Sequence, residues 1–185
     1  MPKSIVLMAV VLVSIAYPYV VYCCSQHLSN YVFAAVIIVI AVSRILLARG
    51  QKSLSQWFFF AVLALYCGFM VTNNSQSLRL FYPTVVSCSL AFVFTVSLYT
   101  DETVIQRIAR LGGQTISAAG LIYTWWLTLI WAVLLLGNGM VAGALALFEP
   151  VKAWAIYTGL LSYVVFALFI LCESVFRHYY KKKYG

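Results

Sequence analysis

The sequence predicts an all-α polytopic membrane protein with about six transmembrane helices and one short amphipathic helix on the cytoplasmic surface. Three observations carry this. Of its 185 residues, 64% are hydrophobic and only 9% are charged, whereas soluble domains carry roughly a quarter of charged residues. The mean hydropathy is +0.98, and the apolar residues gather in runs near the ~20 residues that a helix needs to cross a bilayer. The basic residues, which give a net charge of +8, sit at the ends of those runs. There they serve orientation and lipid headgroups, and they form no surface for a nucleic acid.

Taken in order, the runs cover roughly 4–22, 30–48, 57–72, 80–98, 120–138 and 154–176. They divide a single integral membrane domain, 1–185, into three spans, an interfacial stretch at 101–113, and three more spans. Met1-Pro2-Lys3 resembles the start of a signal peptide, but no small-x-small cleavage site precedes Tyr17-Pro18-Tyr19, so the first run is read as a retained span. With the N-terminus in the cytoplasm, the inner side holds Lys3, Arg44, Arg49, Lys52, Arg107, Arg110, Arg177, Lys181, Lys182 and Lys183. The outer side holds Arg79 and Lys152. Ten against two is the asymmetry of a bacterial inner-membrane protein with both termini inside. Tyrosines and tryptophans near the run ends, Trp57, Tyr82, Tyr99, Trp125, Trp126 and Trp154 among them, read as an interfacial belt.

Residues 101–113 are the longest interruption between the fourth and fifth runs. Val104, Ile108 and Leu111 recur at helical spacing beside Ile105, while Gln106, Arg107 and Arg110 take the other face. Asp101 and Glu102 would sit in the first turn and the arginines in the last, as the helix dipole favours. Thr100 is the expected N-cap and Gly112 the expected C-terminal stop. Two readings stand: an amphipathic helix on the membrane surface, or a capped connector with solvated arginines.

The polar inventory of the runs is short. Asn138, in Leu136-Gly137-Asn138-Gly139, needs a partner in hydrocarbon, which makes it either helix–helix glue or a ligand-facing amide. Glu173 lies one turn before Arg177, as a structural ion pair or as a proton or cation site. Serines and threonines such as Ser87, Thr95, Ser97, Thr128 and Ser162 are expected to bond their own helix backbones. Cys67, Cys88 and Cys172 read as small hydrophobes. No Cys/His spacing suggests a metal, no catalytic signature is evident, and no cofactor is expected.

A dispersed pattern runs through the second half: Leu80-Phe81-Tyr82-Pro83, Ser97-Leu98, Ile105-Gln106-Arg107-Ile108-Ala109-Arg110, Tyr123, Thr128, Trp131, Asn138-Gly139, Trp154, Tyr157, Gly159, Tyr163, Glu173 and Arg177. Over about residues 78–178 it resembles the small inner-membrane proteins of bacterial aryl-polyene and xanthomonadin-type pigment gene clusters. More remotely it is similar to the intracellular septation protein A family, whose members usually read Glu-Arg where this chain has Gln106-Arg107. The first resemblance implies an accessory role in making or exporting a pigment lipid. Membrane lipids would be its partners, with acyl-carrier protein or other cluster enzymes docking near Gln106, Arg107 and Arg110. The second implies an envelope scaffold that acts through protein contacts. A small transporter using Glu173 or Asn138 is a third reading, and it would need a polar cavity at mid-membrane.

Overall fold

The computed structural model describes residues 54–73, 76–113, 115–148 and 150–184, together with Ala35 and Ile38 as isolated helical positions. The expected span over 4–22, that over 30–48 apart from these two positions, and Cys23, Cys24 and His27 lie outside the described residues. Within them every regular element is helical.

The elements are α1 (Leu54–Asn73), α2 (Gln76–Leu80), α3 (Tyr82–Ser97), α4 (Val104–Leu111), α5 (Ala118–Phe148), α6 (Val151–Ile156), a π-turn (Tyr157–Leu161) and α7 (Ser162–Tyr184). Two continuous helical stretches, Ala118–Phe148 and Val151–Tyr180, are long and apolar enough to cross a membrane. The expected third and fourth spans fall on shorter apolar helices, Trp57–Asn73 and Tyr82–Ser97. The fourth is trimmed because Pro83 lies in the first turn of α3. Proline lacks an N–H and disfavours helix before it, so α2 and α3 are separate elements broken at Phe81.

α3 and α5 pack along one another. The stripe on α5 that makes this contact includes Thr128, Ala132, Leu135, Gly139, Ala142 and Gly143, all buried, and Ser87 and Ala91 are buried on α3. The reason for the small residues is geometric. A Cβ on Gly139 would lie 2.7 Å from Cys88 Sγ and 3.3 Å from Ser87 Cβ, and one on Gly143 would lie 3.3 Å from Thr84. Gly139-Met140-Val141-Ala142-Gly143 is thus a G-x-x-x-G face that lets two backbones approach closely, the usual device for helix association without a hydrophobic driving force.

α5 and α7 meet differently. Their Cα atoms come within 8 Å of one another almost nowhere, and rings fill the space between them. Trp131 stacks on Phe166 at 5.8 Å between centroids and meets Phe169 edge-on at 5.1 Å.

A compact core lies at the α2–α6 end, where Leu63, Cys67, Met70 and Trp154 are buried together. Trp154 has 0% exposure and donates its indole N–H to the Leu80 carbonyl at 3.0 Å. It belongs to this core and not to the interfacial belt expected of it. The indole ring is large enough to fill the junction of α1, α2 and α6, and its single polar atom finds a backbone partner. Arg79, expected at the outer surface, is also buried. The tyrosine of α1 nearest this core, Tyr66, donates its hydroxyl to the Leu78 carbonyl. Cys67 behaves as the small hydrophobe expected, while Cys172 is exposed.

Candidate functional site: two polar nodes and an inside-out helix

Among the described residues the arginines and Lys152 separate to the two ends of the bundle. At one end, Gln106 of α4 donates to the Leu121 carbonyl at 3.2 Å, and Tyr180 of α7 donates to the Ala119 carbonyl at 3.2 Å. These bonds gather α4, the start of α5 and the end of α7, and with them Arg107, Arg110 and Arg177. The other end is tied by Trp154 to Leu80, which brings the segments carrying Arg79 and Lys152 together.

α4 is shorter than expected, and its cap is Thr103 rather than Thr100. Thr103 Oγ1 accepts from the Gln106 N–H at 3.3 Å, and Gln106 Oε1 accepts from the Thr103 N–H at 2.9 Å. This reciprocal pair is a capping box, which satisfies two orphan donors at once. Asp101 and Glu102 therefore precede the helix instead of occupying its first turn. The C-terminal stop at Gly112 is as expected, and Gly113 follows with a φ of 76°, a left-handed conformation that suits glycine.

α4 buries its amide and exposes two of its apolar residues, beside half-buried Val104 and Ile105 and exposed Arg110. Its amide residue, Gln106, faces the bundle with 6% exposure, while Ile108 and Leu111 face outwards with 58% and 71%. Gln106, expected as a contact for lipid or a partner, is held inside by its bonds to Thr103 and Leu121. Arg107 is half-buried and Arg110 exposed. Arg110, in the last turn of α4, pairs with Glu102 ahead of the helix, a contact that sequence spacing did not suggest.

The first polar node centres on Glu173. Its carboxylate accepts from the Tyr123 hydroxyl at 2.7 Å and lies 3.5 Å from Arg177 Nε. Tyr123 also stacks on Tyr180 at 4.9 Å and on Phe176 at 6.1 Å. The ion pair with Arg177 matches the expected i, i+4 spacing. Tyr123, fifty residues earlier, is the partner that the sequence did not reveal. The acid is thus shared between a cation on its own helix and a phenol on α5, which favours a clamp between helices.

The second node is neutral. Asn138 Nδ2 donates to Ser87 Oγ at 2.9 Å, and the Tyr157 hydroxyl donates to Asn138 Oδ1 at 3.1 Å. One amide so joins α3, α5 and the π-turn. Its glue role is present in the structure; one amide hydrogen and one acceptor lone pair remain beyond these two bonds. Tyr123, Trp131 and Asn138, at i, i+8 and i+15, lie on one face of α5; the first node and the ring contacts meet α7 there, and the second meets the π-turn that precedes it.

The π-turn shapes this seam. Ser162 directs its N–H to the Tyr157 carbonyl five residues back, which deprives the Thr158 carbonyl of its usual helical donor. The Ser162 hydroxyl takes that place at 3.2 Å. Thr95, Thr128 and Thr158 likewise donate to their own helix four residues back, as expected for hydroxyls in apolar helices. Ser87 departs from the expected role, because it accepts from Asn138.

Among the described residues no group of His, Cys, Asp and Glu is arranged to hold a metal ion. No protein-family model matches this chain, and comparisons with curated proteins and with solved structures return no match.

Proposed function

We propose that this chain is a multi-pass protein of the bacterial inner membrane that serves the synthesis or export of an aryl-polyene-type pigment lipid as an accessory. In this reading it holds acyl lipid within its helices. Soluble enzymes, acyl-carrier protein among them, dock where α4 meets the ends of α5 and α7. The six crossings and two cytoplasmic termini that the charge asymmetry predicts are part of the same proposal.

The observation that carries the membrane placement is the inverted face of α4. A helix that buries an amide and presents Ile108 and Leu111 outwards is stabilised when its outer neighbour is a lipid interface. Burying Leu111 there favours binding by about 1.5–3 kcal/mol, and Arg107 beside it suits anionic headgroups. The gathering of Arg107, Arg110 and Arg177 at one end of the bundle supports a cytoplasmic position for that end. The aromatic seam between α5 and α7 supports the lipid part of the reading. The pigment context rests on the residue pattern over 78–178.

The test is a doubly substituted protein, Arg107→Gln with Arg110→Gln, expressed in a pigmented host. Membrane insertion should stay normal and pigment yield should fall several-fold. Normal pigment yield from the double variant would sink the docking role. Co-purification with division or wall-synthesis proteins, with a shape defect in cells that make no polyene, would move the assignment to an envelope scaffold.

A further inference from the structure

The two arginines of α4 stand in different surroundings. Arg110 shares a helix face with buried Gln106, four residues earlier, and its guanidinium pairs with Glu102. A carboxylate in contact cancels that charge at short range. Arg107 falls elsewhere on the helix, one turn ahead of Leu111 and next to Ile108, the two outward apolar residues. Among the described residues its guanidinium forms no hydrogen bond and no ion pair, although the residue is half-buried. A charge held partly out of water is costly unless an anion meets it. Here that anion must also tolerate Ile108 and Leu111 beside it.

The neighbours of α4 give its depth. Tyr99, Trp125 and Trp126 are all exposed, and the Trp125 indole N–H donates to the Leu98 carbonyl at 3.4 Å. Tyrosines and tryptophans with outward rings gather where headgroups meet acyl chains. α4 is fixed at the same level, because Gln106 bonds the Leu121 carbonyl, one turn before Trp125. At that depth a guanidinium meets lipid phosphates, while Ile108 and Leu111 meet the upper part of the chains.

Resting on the interfacial position of α4 proposed above, we infer that Arg107 binds the phosphodiester of an anionic phospholipid, and that Glu102 withholds Arg110 from that headgroup. The two arginines are thus not one basic patch. Arg107 gives the site its preference for negative charge, and Ile108 and Leu111 give it contact with the chain beneath. Glu102 sets the limit by occupying the second cation with an internal anion. Asp101 adjoins Glu102 in the chain but pairs with no cation among the described residues, so it holds neither arginine.

The experiment uses the full-length protein in phosphatidylcholine nanodiscs with a trace of photoactivatable lipid. The probes are phosphatidylglycerol and phosphatidylcholine, each with a diazirine on the acyl chain close to the glycerol. Labels are mapped by peptide mass spectrometry, and the ratio of the two yields over residues 99–113 is the readout. The native protein should favour phosphatidylglycerol about fivefold, the weight of one basic residue at a lipid surface. Arg107→Gln should bring the ratio close to one. It leaves α4 folded, because the cap is made by Thr103 and Gln106. Lys182→Gln removes an equal charge from the exposed end of α7, outside the site, and should leave the ratio unchanged. Glu102→Ala should raise it several-fold. Asp101→Ala, the same loss of charge with no arginine released, should raise it much less.

If Arg107→Gln and Lys182→Gln change the ratio alike, it follows net charge and the site is overturned. A gain from Asp101→Ala equal to that from Glu102→Ala overturns the restraint on Arg110. Labelling of α4 by both probes without preference overturns the headgroup assignment and leaves α4 in the interface. Labelling of other segments with none on α4 overturns its interfacial position, and the inference with it.

Discussion

The two faces of α5 solve the same problem in opposite ways. Towards α3 the helix is stripped to Gly139, Ala142 and Gly143, and the backbones approach until a single added methyl would collide with Cys88. Towards α7 it carries Tyr123 and Trp131, and rings hold the two backbones apart. The close face gains from many small dispersion contacts, each lost if the helices part by even a fraction of an ångström. The wide face depends on a few separated attachments: Tyr123 to Glu173 at one end, Trp131 to its two phenylalanines in the middle, and Asn138 to Tyr157 at the other. α3 and α5 form the closely packed pair of the described protein, and α7 is attached to it at discrete points.

The largest test of this contrast is Gly139→Val. The new Cβ would lie 2.7 Å from the Cys88 sulfur and 3.3 Å from Ser87 Cβ, which is fixed to the α3 backbone, and valine adds two methyls beyond it. Overpacking of this kind costs about 1–3 kcal/mol, read as a lower midpoint of equilibrium unfolding in mixed micelles. Asn138→Leu comes next. It removes two interhelical bonds, which average about 0.6 kcal/mol each inside membrane proteins, and a loss near 1 kcal/mol is expected in the same assay. Tyr123→Phe removes one bond to Glu173 and keeps the stacking, so its effect should be about half that of Asn138→Leu. It should also speed protease cleavage near the end of α7 without altering α1–α3. Gly137→Val is the smallest, within about 0.5 kcal/mol of the native protein, because nothing stands within 4 Å of its Cβ. A Gly137→Val as damaging as Gly139→Val would erase the distinction between the two faces.

Much of this was legible in the chain and some was not. The two long apolar helices follow from run length, although both extend beyond the expected limits of 120–138 and 154–176, since helix propensity does not end at the edge of an apolar run. The Glu173–Arg177 pair follows from spacing within one helix. Tyr123 does not, because its contact with Glu173 bridges fifty residues and two elements. That Asn138 needed a partner was clear from its apolar surroundings, and that the partners are Ser87 and Tyr157 was not. Two signals stood in the sequence unread. Thr103-x-x-Gln106 is the capping-box spacing, which marks the true start of α4 and explains why Gln106 turns inwards. Gly139-x-x-x-Gly143 marks the close face of α5. Trp154 illustrates a genuine ambiguity, because a tryptophan at a run end has the same sequence signature whether it lies in an interface or, as here, in a core.

The extra residue accommodated by the turn at Tyr157–Leu161 sets the phase of everything after it. Each residue of an α-helix advances the chain by about 100°. Deleting one residue between Tyr157 and Leu161 would restore regular winding and leave α7 close to its present phase, because the wide turn spends one extra residue on about the same rotation. Regular winding with every residue kept would instead turn α7 by that angle, and Glu173, Phe176 and Tyr180 would swing away from Tyr123 together. The wide turn is therefore what keeps the charged end of the molecule in register with the neutral one.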